Sequence, residues 1–448
     1  GQGREVLRQL LQGWLESRGV GDVGPALAGQ DGVQRTQRRL HSRALESLVG
    51  TVHVERLGSG APGQESLPPL DAALHLPEAR YAHALRTKVA VEAARRSFEE
   101  VVEASGEHTG AQGPTRQAEA RCQRAAQDCE AFSAQRRAQP PTPPADAAGA
   151  LVVLTTDGQG VPRRQEALRA QTRTAAERTA HTLRTRLSTG EKRHRTRMAT
   201  VAAVSSMAPS VRRADDIVRA LAPVHEVRTE RRPRPQDKRV WASVRPEPRT
   251  VIAERCDEAR GRDPEGTPPW VVLVDGQAHQ WRLIRHAVKR RRVAVTLSLD
   301  LFHVLGSLWA AAFACHAAGR AEAARWVRTP RLSLLRGRGS QGAAAMQRRA
   351  TVRAFTASKR AAVDTCADSL LQSRAMLRYD PYLAAGSPIG TGVLEGACRS
   401  LVKDRMERTG ARGTLHGAEA VLRLRALWTH GDFEEYGTFH LDRAYERH

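Results

Sequence analysis

The run Ala150-Leu-Val-Val-Leu-Thr-Thr156, closed by Asp157-Gly158, decides how this chain is read. It is continuously apolar or β-branched and ends in a turn pair, the pattern of a strand buried inside a sheet. The same pattern recurs in Trp270-Val-Val-Leu-Val274, which runs into Asp275-Gly276, and in Val293–Leu299, which runs into Asp300. Met198–Val204 and Val240–Val244 supply partner strands, separated by a basic, proline-containing excursion over Pro209–Arg239. Helical spacing covers Pro248–Arg262, residues 279–290 and residues 301–318, the last an apolar segment holding His303, Trp309 and His316. Strands alternating with helices predict an α/β layer with central, partly parallel strands.

Upstream, residues 4–18 carry apolar side chains at helical spacing, and residues 44–57 alternate around Gly50 as a hairpin would. Pro77–Ala104 reads as a helix, Ser105–Gly110 as a turn, and a second helix begins near Thr115. Helix, short turn and helix outline a helix-turn-helix, whose second helix would present Arg116, Gln117, Arg121 and Arg124 to phosphates and base edges. An ordinary helical hairpin with a solvated charged face fits the same residues. The proline-rich stretch over residues 138–149 is the clearest linker. Residues 319–385 have helical composition and no convincing strand, Pro388–Thr391 reads as a loop, and a helix should begin near Gly392. The expected organisation is a mainly helical region over 1–137, a linker over 138–149, an α/β part over 150–318, a helical stretch over 319–385 and a C-terminal helical part over 386–448.

The 71 Lys and Arg residues against 48 Asp and Glu give a formal charge of +23, spread along the whole chain. Such a surface attracts phosphate backbones through counterion release, although an arginine-rich composition also follows from GC-rich coding. The six cysteines include no Cys-x-x-Cys pair, which argues against a zinc ribbon and fits a reducing cytoplasm. No apolar run approaches the ~20 residues of a membrane span, and no signal peptide is visible. The chain opens on Gly1, which leaves room for preceding sequence.

Against this basic background Asp157, Asp275 and Glu395 stand out. The first two sit where an apolar strand meets glycine, and Glu395 lies in Gly392-Val-Leu-Glu395-Gly, at the start of a basic helical segment. Phosphodiester chemistry needs an activated oxygen nucleophile and a stabilised leaving oxygen, which two divalent cations ~4 Å apart can supply. Magnesium prefers carboxylate and water oxygens, so a few acidic side chains on rigid strand ends would suffice. Taken singly, each Asp is equally a turn residue, and Glu395 a first-turn partner of the helix dipole.

The segments Val153-Leu-Thr-Thr-Asp157-Gly-Gln-Gly-Val161, Trp270–Gly276, Leu299-Asp300-Leu-Phe-His303-Val and Gly392-Val-Leu-Glu395-Gly-Ala-Cys-Arg-Ser-Leu-Val-Lys-Asp-Arg-Met406 resemble bacterial insertion-sequence transposases of the Kra group, relatives of the Mutator-like DDE transposases. The resemblance runs through nearly the whole chain, including Pro69-Leu-Asp-Ala-Ala-Leu74 and Gly431-Asp-Phe-Glu-Glu-Tyr436. It implies an RNase H-like core interrupted by an all-helical insertion and preceded by a helical DNA-binding region. It implies metal-dependent strand cleavage and strand transfer at insertion-sequence ends. Asp157, Asp275 and Glu395 would then be catalytic and would hold two Mg²⁺ ions, with Mn²⁺ as a substitute. Asp300 and His303 match an auxiliary Asp-x-x-His signature, with His303 near the DNA and not a metal ligand; a helix-capping Asp followed by a packed His is the plain alternative. Arg399, Lys403, Arg405 and Arg408 would line the DNA, with Arg399 one turn below Glu395; an ordinary basic helix face is again the alternative. The partners implied are double-stranded DNA and further copies of the chain, in a bacterial cytoplasm. The alternatives in function are an inactive DNA-binding derivative of such an enzyme, or an RNase H-like nuclease. The family usually carries bulky aromatics where this chain has Gly413 and Gly437, which predicts lost core packing at both.

Overall fold

In the computed structural model the described residues are 2–78, 80–109, 115–139, 149–162, 168, 170–178, 196–221, 233–266, 269–317, 319–390, 392–407 and 414–447. The protein is mixed α/β, predominantly helical, with a central mixed sheet. No helix among the described residues is long and apolar enough to cross a membrane. The chain divides into two units, residues 1–134, 162–197 and 403–448 in one, 135–161 and 198–402 in the other.

The first unit opens with the helix Gln2–Ser17 and the short antiparallel pair β1 (Leu27–Ala28) and β2 (Gln34–Arg35). A long hairpin follows, β3 (Gln37–Ser47) with β4 (Gly50–Gly60), joined at the Ser47–Gly50 pair. The expected hairpin therefore exists but is longer than the alternation over 44–57 suggested. Leu15 of the helix packs with Leu45, Val52 and Val54 of the hairpin and with Leu70 in a small core.

The helix read over Pro77–Ala104 is two helices, His83–Arg95 and Phe98–Thr109. Ser97 starts the second: its hydroxyl accepts from the Glu100 N–H (3.2 Å), and its own N–H donates to the Glu100 carboxylate (2.7 Å). This reciprocal pair is a capping box. The turn expected at Ser105–Gly110 is helical as far as Thr109, carried by the buried Val101 and Ala104 on its inner face; Gly110 lies outside the described residues. The helices Thr115–Ala125 and Cys129–Ala138 follow, and most of the expected linker, residues 140–148, lies outside the described residues.

The C-terminal helices Leu415–His430 and Phe433–Glu446 belong to this first unit, so the expected C-terminal part over 386–448 is divided between the two units. Their polar anchors explain the difference. Glu119 accepts from the Thr414 N–H (3.0 Å) and hydroxyl (2.6 Å), and the Tyr436 hydroxyl donates to the Ala125 carbonyl (2.5 Å). The Asp128 carboxylate receives both the Arg447 guanidinium (2.9 and 3.1 Å) and the His440 imidazole (2.5 Å).

The second unit is built on a five-stranded sheet of β5 (Leu151–Pro162), β6 (Thr196–Met207), β7 (Gln236–Ser243), β8 (Trp270–Val274) and β9 (Val295–Leu299). Their order across the sheet is β7-β6-β5-β8-β9. The β6–β7 pair is antiparallel, and β5–β8 and β8–β9 are parallel. Parallel neighbours need long crossovers, which the helices Pro248–Arg262 and Ala278–Arg290 accompany. The core takes Leu154, Ile252, Trp270, Val272, Ile284 and Leu308 from sheet and helices, all essentially inaccessible to solvent. The Trp270 indole N–H donates to Asp263 (2.9 Å), so its burial leaves no polar atom stranded.

Between Ala321 and Ala384 the chain is helical, with Ala321–Leu335, Gly339–Val352, Ala357–Gln372 and Tyr379–Ala384 as its α-helices. The last of these covers the edge strand β9. The Tyr379 hydroxyl donates to the Leu299 carbonyl (2.9 Å) and the Tyr382 hydroxyl to the Leu297 carbonyl (3.2 Å). An edge whose carbonyls are occupied in this way is closed to further pairing.

Candidate metal centre

Strand register brings the acidic residues together. Thr156 pairs with Val274, and Val274 with Leu299, so these three residues form one row across β5, β8 and β9. The next residues in the chain are Asp157, Asp275 and Asp300. Side chains at one level of neighbouring parallel strands point to the same face, so three carboxylates begin side by side, Asp275 and Asp300 just past the ends of β8 and β9 and Asp157 within β5, which continues to Pro162 instead of stopping at the expected Asp-Gly turn. The Asp300 N–H still donates to the Val274 carbonyl (2.8 Å), which prolongs the β8–β9 ladder to that residue.

Each carboxylate is oriented by a backbone N–H. Asp157 accepts from Gly158 (2.6 Å), Asp275 from Gln277 (2.9 Å), and Asp300 from Phe302 (2.8 Å). Asp300 is thereby the N-cap of the helix Leu301–Cys315. After Asp275 the chain turns through Gly276 at φ +94°, where a Cβ would also approach the Leu299 side chain to 3.0 Å. Only glycine meets both conditions without strain.

One ligand atom each from Asp157, Asp275 and His303 lie within 4.8 Å of one another, a geometry that could hold a metal ion. His303 occupies the first turn of the helix that Asp300 caps, so its imidazole joins the two carboxylates. The sequence alone does not count His303 among the ligands. Glu395, expected as the third carboxylate of the set, is described and exposed but is not a member of this group. It nevertheless lies near enough to raise the proton affinity of Asp300.

The electrostatics are those of crowded, partly buried acids. Burial pushes the Asp275 carboxyl above the usual range, with the neighbouring Asp157 adding to the effect and the Gln277 N–H and His303 opposing it. Burial likewise raises Asp300, against the Phe302 N–H and His303. Desolvated carboxylates that repel one another are stabilised by a shared cation.

Three further residues support the acids, and none stood out as functional in the sequence. The Cys398 thiol contacts the Asp157 Oδ2 at 3.7 Å. Gln280, buried, is placed for its amide nitrogen to donate to the Thr156 carbonyl (3.2 Å) and its oxygen to accept from the Gly158 N–H (3.2 Å). Tyr379 fixes the Leu299 carbonyl just before Asp300. Cys398 lies within the Gly-Ala-Cys-Arg motif, but neither periodicity nor spacing reveals which carboxylate it meets.

The segment after Glu395 departs from the expected helix. Val393–Ala397 is α-helical, Cys398–Lys403 is a π-helical turn, and Asp404–Met406 resumes the α-helix. Bonds of the i→i+5 type shift the period, so Arg399, Val402 and Met406 do not keep the single face that an α-helix would give them with Glu395. Arg399 and Lys403 are exposed. Arg405, expected to line DNA, is buried: its guanidinium lies over the Phe98 ring and donates to the Ala93 carbonyl (3.4 Å). A guanidinium enclosed by protein cannot also meet a phosphate backbone. Arg408 lies outside the described residues.

In the first unit, Arg116, Gln117, Arg121 and Arg124 lie on the helix Thr115–Ala125. Arg116 and Arg124 are exposed. Tyr81 engages the other two, its hydroxyl donating to Gln117 (2.9 Å) and its ring stacking beneath Arg121 at 3.6 Å. Gly437 replaces no core aromatic: a Cβ there would meet nothing within 4 Å. Gly413 lies outside the described residues. In comparisons with known proteins, no family model and no curated protein matches this chain.

Proposed function

We propose that the protein is a metal-dependent phosphoryl transferase acting on DNA, of the DDE-transposase type, which cuts and joins strands at insertion-sequence ends. The observation that carries this reading is the meeting of Asp157 and Asp275, 118 residues apart in the chain, next to the last pair of the adjacent parallel strands β5 and β8 with ligand atoms within 4.8 Å. A mixed sheet with acidic residues levelled across its parallel strands, followed by a helical stretch before Glu395, supports an RNase H-like core with a helical insertion. The +23 charge supports double-stranded DNA as the partner. Transfer between two DNA ends calls for more than one copy of the chain.

Asp157, Asp275 and Glu395 would together hold two divalent ions such as Mg²⁺, the tighter at Asp157 and Asp275, which when bound supply Lewis acidity and an activated oxygen nucleophile. The chain's own part is positional. The strand row sets the spacing of the carboxylates, and the backbone N–H groups with Cys398 and Gln280 hold their rotamers and the strand end. Arg399, exposed four residues after Glu395, could meet a phosphate backbone.

The place of Glu395 outside the close group favours one second reading, a DNA-binding derivative that holds a cation without turning over. Incubating repeat-end DNA and Mg²⁺ with the wild-type chain, Asp275→Asn and Glu395→Gln separates the two. Wild-type cleavage lost in both variants supports the transposase, undiminished cleavage in Asp275→Asn overturns the metal assignment, and no wild-type cleavage leaves the binding derivative.

A further inference from the structure

The close group at the strand ends is not a set of three carboxylates. It contains two carboxylates and one imidazole, from Asp157, Asp275 and His303. Ligands ~2.1 Å from a cation stand at most ~4.2 Å apart across it. Atoms already within 4.8 Å thus need only small side-chain adjustments to close around one ion. Two of the three start from fixed positions, each one residue beyond the last pair of the parallel strands β5 and β8, and the third from the first turn of a capped helix. Sites on such rigid elements lose little freedom on binding an ion.

Ligand chemistry then selects among ions. Mg²⁺ takes oxygen ligands and surrenders water reluctantly. An imidazole contributes little to it, whereas first-row transition ions accept nitrogen readily. We infer that the protein's tight cation site is formed by Asp157, Asp275 and His303, that it takes a first-row transition ion in preference to Mg²⁺, and that Glu395 is outside the ligand set of this one ion. The inference rests on the metal reading of this site and not on the DNA chemistry.

The test is direct binding of Mn²⁺ and Mg²⁺ to the full chain by calorimetry, with electron spin-echo spectra of the Mn²⁺ complex to detect a ligated nitrogen. Mn²⁺ is expected to bind at least about tenfold more tightly than Mg²⁺ and to show nitrogen coupling. His303→Ala should lower Mn²⁺ affinity at this site roughly tenfold or more and abolish the coupling while changing Mg²⁺ affinity by no more than about twofold, and Glu395→Gln, which removes a group of the second ion, should leave the nitrogen coupling in place. His303 is exposed, so the variant should fold, and circular dichroism verifies this. If Asp275→Asn abolishes binding but His303→Ala does not and no nitrogen coupling is seen, the site is carboxylate-only: this inference fails and the metal reading stands. If neither ion binds the wild-type chain, both fail.

Discussion

The Cys398 thiol lies 3.7 Å from the Asp157 Oδ2, joining residues 241 positions apart. Cys398 begins the π-helical turn that follows Glu395, and it is buried. Its contact ties the Glu395 segment to the first strand-end carboxylate. With the other Asp157 oxygen accepting from the Gly158 N–H, the carboxylate is held at both ends. Supporting contacts of this kind typically tune metal affinity by 10- to 100-fold. Cys398→Ala should therefore weaken divalent-cation binding by about tenfold, whereas Cys398→Ser, which keeps a donor, should stay near wild type. Calorimetric titration of both variants checks this, and equal affinities would remove the positioning role.

Asp275 and Asp300 both bind protons more tightly in the folded state than in an unfolded chain, chiefly because they are buried. Their contribution to stability is complete below the ordinary Asp value of 3.8 and is lost as pH rises through the raised folded values. At neutral pH the metal-free protein thus carries an electrostatic burden at its strand ends. Asp275→Asn should raise the metal-free melting temperature at pH 7 by about 2–4 °C, the shift that ~1 kcal/mol produces in a unit of 150–250 residues. The gain should shrink near pH 4, and stabilisation by added Mn²⁺ should vanish. Melting curves at both pH values, with and without the ion, measure all three.

Arg399 and Arg405 are six residues apart and should behave differently. Arg399 is exposed, and its replacement by Ala should leave folding intact while lowering the salt dependence of DNA binding by about one unit of slope. Arg405 is enclosed by Phe98 and Ala93, and Arg405→Ala should cost about 2 kcal/mol of stability. Urea unfolding and salt-titrated DNA binding, run on both variants, separate the roles. A salt slope changed by Arg405→Ala without loss of stability would contradict the burial argument.

Asp128 anchors the C-terminal helix by holding Arg447 and His440 together. Burial would raise its carboxyl, but the hydrogen bonds from Arg447 and His440 outweigh it and hold the carboxyl below the usual range. Asp128→Ala should destabilise this unit by about 2–4 kcal/mol, since it strands the partners of a largely buried pair. His440 is depressed below 6.5 by burial, with Asp128 opposing. Its stabilisation is present above that value and is lost as pH falls through the folded one. The melting temperature of the wild-type chain should therefore decline as pH is lowered from about 6.5.

Gly437 lies inside the helix Phe433–Glu446, and a Cβ there meets open space. Gly437→Ala should stabilise the protein by about 0.5–1 kcal/mol through helix propensity and a less free unfolded chain. Denaturant titration checks the sign. A loss of stability would show that the position is closed to a side chain.

Much of the second unit is legible because its signals are local. The apolar run at Trp270–Val274 is β8 residue for residue, and that at Ala150–Thr156 enters β5 at Leu151, the strand continuing to Pro162. The Pro248–Arg262 helix begins and ends as its spacing predicted. The break at Ser97 was also written locally, in Ser97-Phe-Glu-Glu100, but a long apolar periodicity across it hid the capping box. The π-turn at Cys398–Lys403 has no such signal, since α-helical spacing and a wider turn share the same residues over so short a span.

The sequence by itself determined which apolar strands lead into acids, because apolar runs and β-branching act within a few residues, although β5 runs on past Asp157-Gly158 to Pro162. Only the tertiary structure decided which side chains meet. Pairing of Thr156 with Val274 and of Val274 with Leu299 levels three aspartates that the chain separates widely. The helix that Asp300 caps then brings in His303, and Glu395 is left outside the close group. Burial of Arg405 follows from the same cause. Proximity across more than a hundred residues is set by register and packing, and those depend on every element at once.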